Sequence, residues 1–156
     1  MMFGLFNKKK IEVFSPIKGK VIDITEVEDE VFSAKMMGDG FAVEPDENFI
    51  SAPCDGEIAI LAKTKHAVAI RAEGVEILIH IGLDTVELEG KGFTAYVKEA
   101  ELVKRGDKLI SFDAEYIKKE GKRITTVLAI TNMDEKVKRL AKNLQTQEAV
   151  LKIEVK

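Results

Sequence analysis

The chain has 156 residues, of which 46% are hydrophobic and 33% charged, and a formal net charge of −3. That composition belongs to a globular protein long enough to bury a core, and its slight acidity gives no reason to expect nucleic acid as a partner. No stretch approaches the ~20 apolar residues of a membrane-crossing helix, "MMFGLFNKKK" lacks the pattern of a signal peptide, and the single cysteine, Cys54, has no internal disulfide partner; a cytoplasmic location is expected, with Cys54 a packing residue.

In chain order, residues 1–10 read as a flexible tail ahead of a single domain over residues 11–156. Phe3, Leu5 and Phe6 followed by lysines make a minimal amphipathic pattern for an anionic membrane, but one too short for a stable helix. Strand signals then dominate. Alternation or compact apolar runs recur at "GKVIDI", "FAVEP", "EIAILA", "HAVAIRA", "VEILIHIG", "KLISFD", "RITTVLAIT" and "AVLKIEV", separated by Gly, Pro, Asp and Asn. Many short strands with close turns predict an all-β antiparallel sandwich or flattened barrel. One short helix interrupts them, with Asp113 as N-cap, Glu115 in the first turn, Lys118 and Lys119 near the end and Gly121 as terminator. A second short helix is read at "DEKVKRLAK".

The segments "SPIKGKVI" and "APCDGEIA" both read small–Pro–x–x–Gly–x–Val/Ile, with Pro16 and Pro53 thirty-seven positions apart. In each, Pro fixes φ before a turn and Gly permits what other residues resist, so the chain can enter a strand twice by one kind of corner. An internally duplicated half-barrel accounts for the echo, as two unrelated turns also would.

Both histidines, His66 and His80, lie in "TKHAVAIRAEGVEILIHIG". Ile77, Ile79, Ile81 and Leu83 share one parity and read as core, which leaves His80 on the opposite face of its strand beside Leu78 and Gly82. A three-residue loop at Ala72, Glu73 and Gly74 pairs Arg71 with Val75 and sets His66 opposite His80, with Cβ atoms ~4.5–5.5 Å apart. Such a pair admits three readings: two stacked surface histidines, a zinc site short of its usual three or four protein ligands, or nucleophilic catalysis with one imidazole carrying a group and the other steering it.

"GVEILIHIGLDTV", residues 74–86, resembles the phosphorylation-site signature of the glucose-type enzyme IIA domains of the bacterial sugar phosphotransferase system. "EVEDEVFSAKMMGDGFAVEP", "TKHAV", "ELEGKGF", "VKRGDKLI" and "TNMD" resemble further segments of that family, so that the resemblance covers nearly the whole chain. It implies a duplicated hybrid-motif fold and a phosphotransferase component in which His80 is phosphorylated at Nε2. His66 is the implied partner, the Gly82 carbonyl the implied acceptor for Nδ1–H of His80, and Thr64 the residue that holds the second ring. No Arg or Lys belongs to the implied set, which suits a carrier: a strongly paired phosphoryl group would not leave.

The resemblance also implies a partner surface formed by Val31, Phe32, Met36, Met37, Leu78 and Val86, rimmed by Asp29 and Asp84. Met is suited to repacking against more than one partner. The implied donor is a histidine phosphocarrier protein and the implied acceptor the IIB domain of a membrane sugar permease, where the chain would act transiently; room is left for regulatory protein targets. No cofactor or metal is implied. Departures from the family pattern fall at Glu30, Ala34 and Ala62 and touch affinity, not chemistry. A competing reading, from "SAKMMGDG", is a covalent biotinyl or lipoyl carrier with Lys35 as acceptor. A metallopeptidase on a related barrel would need a third histidine.

Overall fold

Alternating apolar positions in short runs produce thirteen strands among the described residues of this computed structural model, which are 9–146 and 148–156. Phe3, Leu5 and Phe6 lie outside them. The strands are β1 (Lys10–Val13), β2 (Gly19–Asp23), β3 (Gly40–Pro45), β4 (Phe49–Ser51), β5 (Gly56–Leu61), β6 (Ala67–Ala72), β7 (Val75–Leu83), β8 (Phe93–Ala95), β9 (Leu102–Val103), β10 (Lys108–Phe112), β11 (Arg123–Ile130), β12 (Val137–Lys142) and β13 (Leu151–Val155). All eight expected strand segments are present. β1 starts at Lys10, one residue inside the expected tail, and pairs it with Glu154.

A seven-stranded sheet runs β2-β3-β11-β7-β6-β5-β9, and two three-stranded sheets run β1-β13-β12 and β4-β10-β8. β2 and β9 are free ends of the large sheet, so the architecture is an antiparallel all-β sandwich and not a closed barrel. One core joins all three sheets: Ile77, Ile79 and Ile81 from β7 meet Ile11 and Ile153 from the second sheet and Ile50 and Ile110 from the third. Burial of several such side chains, at about 1.5–3 kcal/mol each, is what holds the layers together.

The duplication is visible in hydrogen bonds. Phe14 N–H donates to the Pro53 carbonyl at 2.9 Å, and Ser51 N–H donates to the Pro16 carbonyl at 2.8 Å. Each donor lies two residues before one proline and each acceptor is the other proline, so the two corners clasp one another reciprocally. Gly19 and Gly56 open β2 and β5 at equivalent points. A Cβ on either would meet a backbone carbonyl oxygen, Glu44 O at 2.1 Å or Arg71 O at 2.7 Å.

Among the described residues there are also three short helices and two 3-10 turns: α1 (Glu30–Ser33), α2 (Ala114–Lys119), α3 (Met133–Lys136), and the turns Ile24–Glu26 and Thr85–Leu88. α2 is the expected helix, with the Asp113 carboxylate accepting from Tyr116 N–H at 3.1 Å and Gly121 taking φ 80 behind it. The helix expected at residues 134–142 stops at Lys136. Its remainder is β12, where Leu140 and Lys142 turn one way and pair against β13, because that sheet offers a ladder and an apolar face that a nine-residue helix could not match.

Candidate functional site

His80 stands near the centre of β7, flanked by Ala67 of β6 and Val127 of β11. Its face of the large sheet points away from the main core. A second apolar cluster covers that face, built from Ala42, Val127 and Ala129 of the sheet, Ile24, Val27 and Phe32 of the 23–39 excursion between β2 and β3, and Leu83. Leu83 thus departs from the expected parity. Gly82, at φ 75, interrupts the strand, and the register against β11 shifts between Ile81 and Leu83. A Cβ on Gly82 would lie 2.7 Å from the Arg123 carbonyl oxygen and 2.5 Å from Thr85 Cγ2, so the position excludes other residues.

The β6–β7 hairpin is tighter than expected. Glu73 at φ 49 and Gly74 at φ 81 form a two-residue loop, and the register pairs Arg71 with Glu76 and Ala67, not His66, with His80. The one-residue change rotates β6, not β7, so Ile77 and Ile79 keep their place in the core opposite Ile70 and Val68. His66 accepts at its carbonyl from Ile81 N–H at 2.7 Å, a ladder position that would aim a continued strand inward. β6 begins only at Ala67, however, and Lys65 takes φ 58, so the chain turns and the His66 ring comes over His80. The ring centroids are 4.9 Å apart at 82°, edge to face.

Each ring is held from behind. Nδ1–H of His80 donates to the Gly82 carbonyl at 2.8 Å, and Nδ1 of His66 shares a hydrogen bond of 2.6 Å with the Thr64 hydroxyl. Burial pushes the His66 imidazolium down to about 4, with the neighbouring His80 adding to the effect. Burial also lowers His80, opposed by its bond to Gly82 and by the Asp29 and Asp84 carboxylates. The charge-stabilising groups are therefore on the His80 side. Near neutral pH the site presents two uncharged imidazoles, one with Nε2 free to act as a nucleophile.

The expected partner surface separates into two layers. Val31, Met36, Met37 and Val86 are exposed, Met36 by 70%. Leu78 and Asp29 are half-buried, Asp84 is exposed, and Asp29 also caps α1 by accepting from Val31 N–H at 3.0 Å. Phe32, expected among the exposed residues, is buried: its ring packs against that of His80, 5.1 Å away and tilted by 58°. Lys35 follows α1 at φ 58 and pairs with Asp39 at 3.6 Å, which is not the β-hairpin tip that a biotinyl or lipoyl acceptor requires. Gly38 and Gly40 bring the loop back against β11, where a Cβ on either would overlap a carbonyl oxygen of Ile130 or Leu128.

The family model for the phosphoenolpyruvate-dependent sugar phosphotransferase system, EIIA 1, matches residues 11–136. A glucose-specific EIIA component of Bacillus cereus is 51% identical over 135 residues, covering 85% of this chain and 82% of that protein. A beta-glucoside-specific EIIBCA component of Bacillus subtilis is 49% identical over 144 residues, 89% of this chain but 24% of that longer protein. Glucose permease IIA from Mycoplasma capricolum superimposes with a TM-score of 0.85 at 39% identity, covering 94% of this chain and 97% of that one. The chain belongs to the EIIA type 1 family and is a phosphocarrier of the sugar phosphotransferase system, a phosphotransferase component. A biotinyl or lipoyl carrier is not supported.

Proposed function

We propose that His80 is the residue that carries the phosphoryl group. The observation that carries this reading is the 2.8 Å bond from its Nδ1–H to the Gly82 carbonyl, which fixes the tautomer and leaves the Nε2 lone pair outward beside a second imidazole. The donor is a phosphohistidine on a histidine phosphocarrier protein. Its N–P bond breaks as a new bond forms from His80 Nε2 to phosphorus, and the released donor imidazole takes up the electron pair. Nδ1–H of His80 stays in place. The ring acquires positive charge, which the Gly82 carbonyl and the Asp29 and Asp84 carboxylates stabilise. With the Thr64 hydroxyl donating to Nδ1 of His66, the Nε2–H of that ring is the neutral donor to a phosphoryl oxygen.

Reversal of the same step at the IIB domain of a sugar permease passes the group on, and the fusion of IIA to IIB segments in the Bacillus subtilis relative supports that partner. Val31, Met36, Met37 and Val86 form the docking surface, with Asp29 and Asp84 at its rim and Phe32 and Leu78 beneath it. No helix among the described residues is long and apolar enough to cross a membrane, and the site works in the cytoplasm, at the membrane only while docked to the permease.

The test is intact mass after incubation with phosphoenolpyruvate and the two general phosphotransferase proteins. One acid-labile, base-stable phosphoryl adduct is expected, absent from His80→Ala. His66→Gln should still accept the group but pass it to IIB about 10² to 10³-fold more slowly, as expected for a donor that acts mainly in the transition state. A phosphorylated His80→Ala protein, or label on His66 or Thr64, overturns the assignment.

A further inference from the structure

The 23–39 excursion supplies Phe32 beside His80 and Val31, Met36 and Met37 around it, yet α1 within it is a single turn. Backbone pairing holds its ends within the large sheet, with Asp23 opposite Phe41 and the Asp39 carbonyl accepting from Ile130 N–H at 2.9 Å, and a side chain from a second sheet adds a further tie. Lys142, on β12 of another sheet, donates from Nζ to Asp23 Oδ1 at 2.8 Å and to Asp39 Oδ1. Asp23, the last residue of β2 and the cap of the Ile24–Glu26 turn, marks the start of the excursion, and Asp39, the residue before β3, marks its end. Nothing in the phosphotransfer chemistry uses these three residues, and none touches either histidine.

We propose that Lys142 is a positioning residue for phosphotransfer: by clamping both ends of the 23–39 excursion it sets the docking surface over His80. This role depends on the docking function proposed above for Val31, Met36 and Met37. Both carboxylates are already committed locally, so the ammonium fixes whole turns and not loose side chains. Asp23 Oδ2 accepts from Thr25 N–H at 3.3 Å and from the Thr25 hydroxyl at 2.6 Å, and Glu26 returns a bond to Asp23 N–H at 3.1 Å, a complete capping box at the start of the excursion. Asp39 Oδ1 accepts from Gly40 N–H at 2.8 Å, and Asp39 Oδ2 pairs with Lys35, next to Met36 and Met37, at 3.6 Å. The Lys142 side chain is 19% exposed, against 67% for Lys9 in its surface pair, so water competes weakly for its donors. A clamp of this kind acts on how well a partner protein finds its contacts and leaves the reacting imidazole unchanged.

A purely structural staple between the two sheets is the competing account, and partner kinetics separate the two. In the phosphoenolpyruvate-driven assay, Lys142→Met should raise KM for the phosphorylated donor protein roughly three- to thirtyfold, the range for residues that modulate a site without touching its ligand. Its kcat at saturating donor should stay near wild type, the methyl resonances of Met36 and Met37 should shift, and Lys142→Arg should recover most of the loss. Lys152→Met, which removes a lysine from the same sheet in an exposed pair with Glu12, serves as the control and should match wild type. Should Lys142→Met not fold, Asp39→Asn, which weakens one arm alone, is read against the same expectations. An unchanged KM, or a fall confined to thermal stability, rejects the clamp. If wild type itself takes up no phosphoryl group, or if His80→Ala does, it is the assignment of His80 that fails, and the unmoved Met36 and Met37 resonances in Lys142→Met would reject the clamp independently.

Discussion

Phe32 is buried among exposed neighbours. Its neighbours Val31, Met36 and Met37 are exposed, so a docking anchor at the same spot is a natural expectation. The ring instead fills the cluster of Ile24, Val27, Ala42, Val127 and Ala129 and supports His80 at 5.1 Å. Phe32→Ser is therefore expected to destabilise the fold by about 3 kcal/mol or more, through lost transfer energy and the cavity left behind. Urea unfolding measures this. A change below about 1 kcal/mol would return Phe32 to the surface.

Among the elements, legibility follows how local the determining signal is. α2 was readable because its N-cap, its charges and its terminator all lie within nine residues of one another. Asp113→Ala should cost about 1 kcal/mol, readable as a lowered midpoint with an unchanged denaturant slope. β12 was not readable because its helix-like charge spacing is overruled by β13, a partner met only in the folded chain. The hairpin fell between these cases. Glu73-Gly74 as a two-residue loop needs φ > 0 at Glu73, a conformation glutamate seldom adopts, so a longer loop is the natural expectation from sequence. The two rings meet all the same, since Lys65 turns the chain just before β6 begins. The contact was legible; its path was not. The cover over His80 was also hidden, because α1 is one turn long and Lys142 lies more than a hundred residues from Asp39.

At the scale of the whole molecule, two depressed groups tie the site to folding in acid. His66 titrates near 4 in the fold against 6.5 unfolded, so the unfolded chain binds the proton more readily. Its contribution is complete above about 6.5 and is lost as pH falls towards 4, at most about 3 kcal/mol. For Asp23, burial alone would raise the carboxyl, but hydrogen bonds from Lys142 and Thr25 prevail and bring it from 3.8 to about 2. Its contribution is held above 3.8 and lost as pH falls towards 2. Urea midpoints of wild type and His66→Gln should therefore differ in slope between pH 6.5 and 4. Parallel curves in that interval would show that His66 is not the group responsible.

The two imidazoles share one site on one face of the large sheet, with exposed Val31, Met36, Met37 and Val86 as the docking surface proposed above. If donor and acceptor both dock on this surface, as proposed above, two proteins cannot occupy it together. Loading and unloading then alternate, and each partner obstructs the other's turn. With donor held far above its KM, delivery to the IIB domain should slow as more donor is added, and extra IIB should relieve the block. On that reading, flux through the carrier should be highest at balanced partner concentrations. Initial rates across a grid of both concentrations would reveal it, and a rate that only saturates would show that the two partners do not share the face.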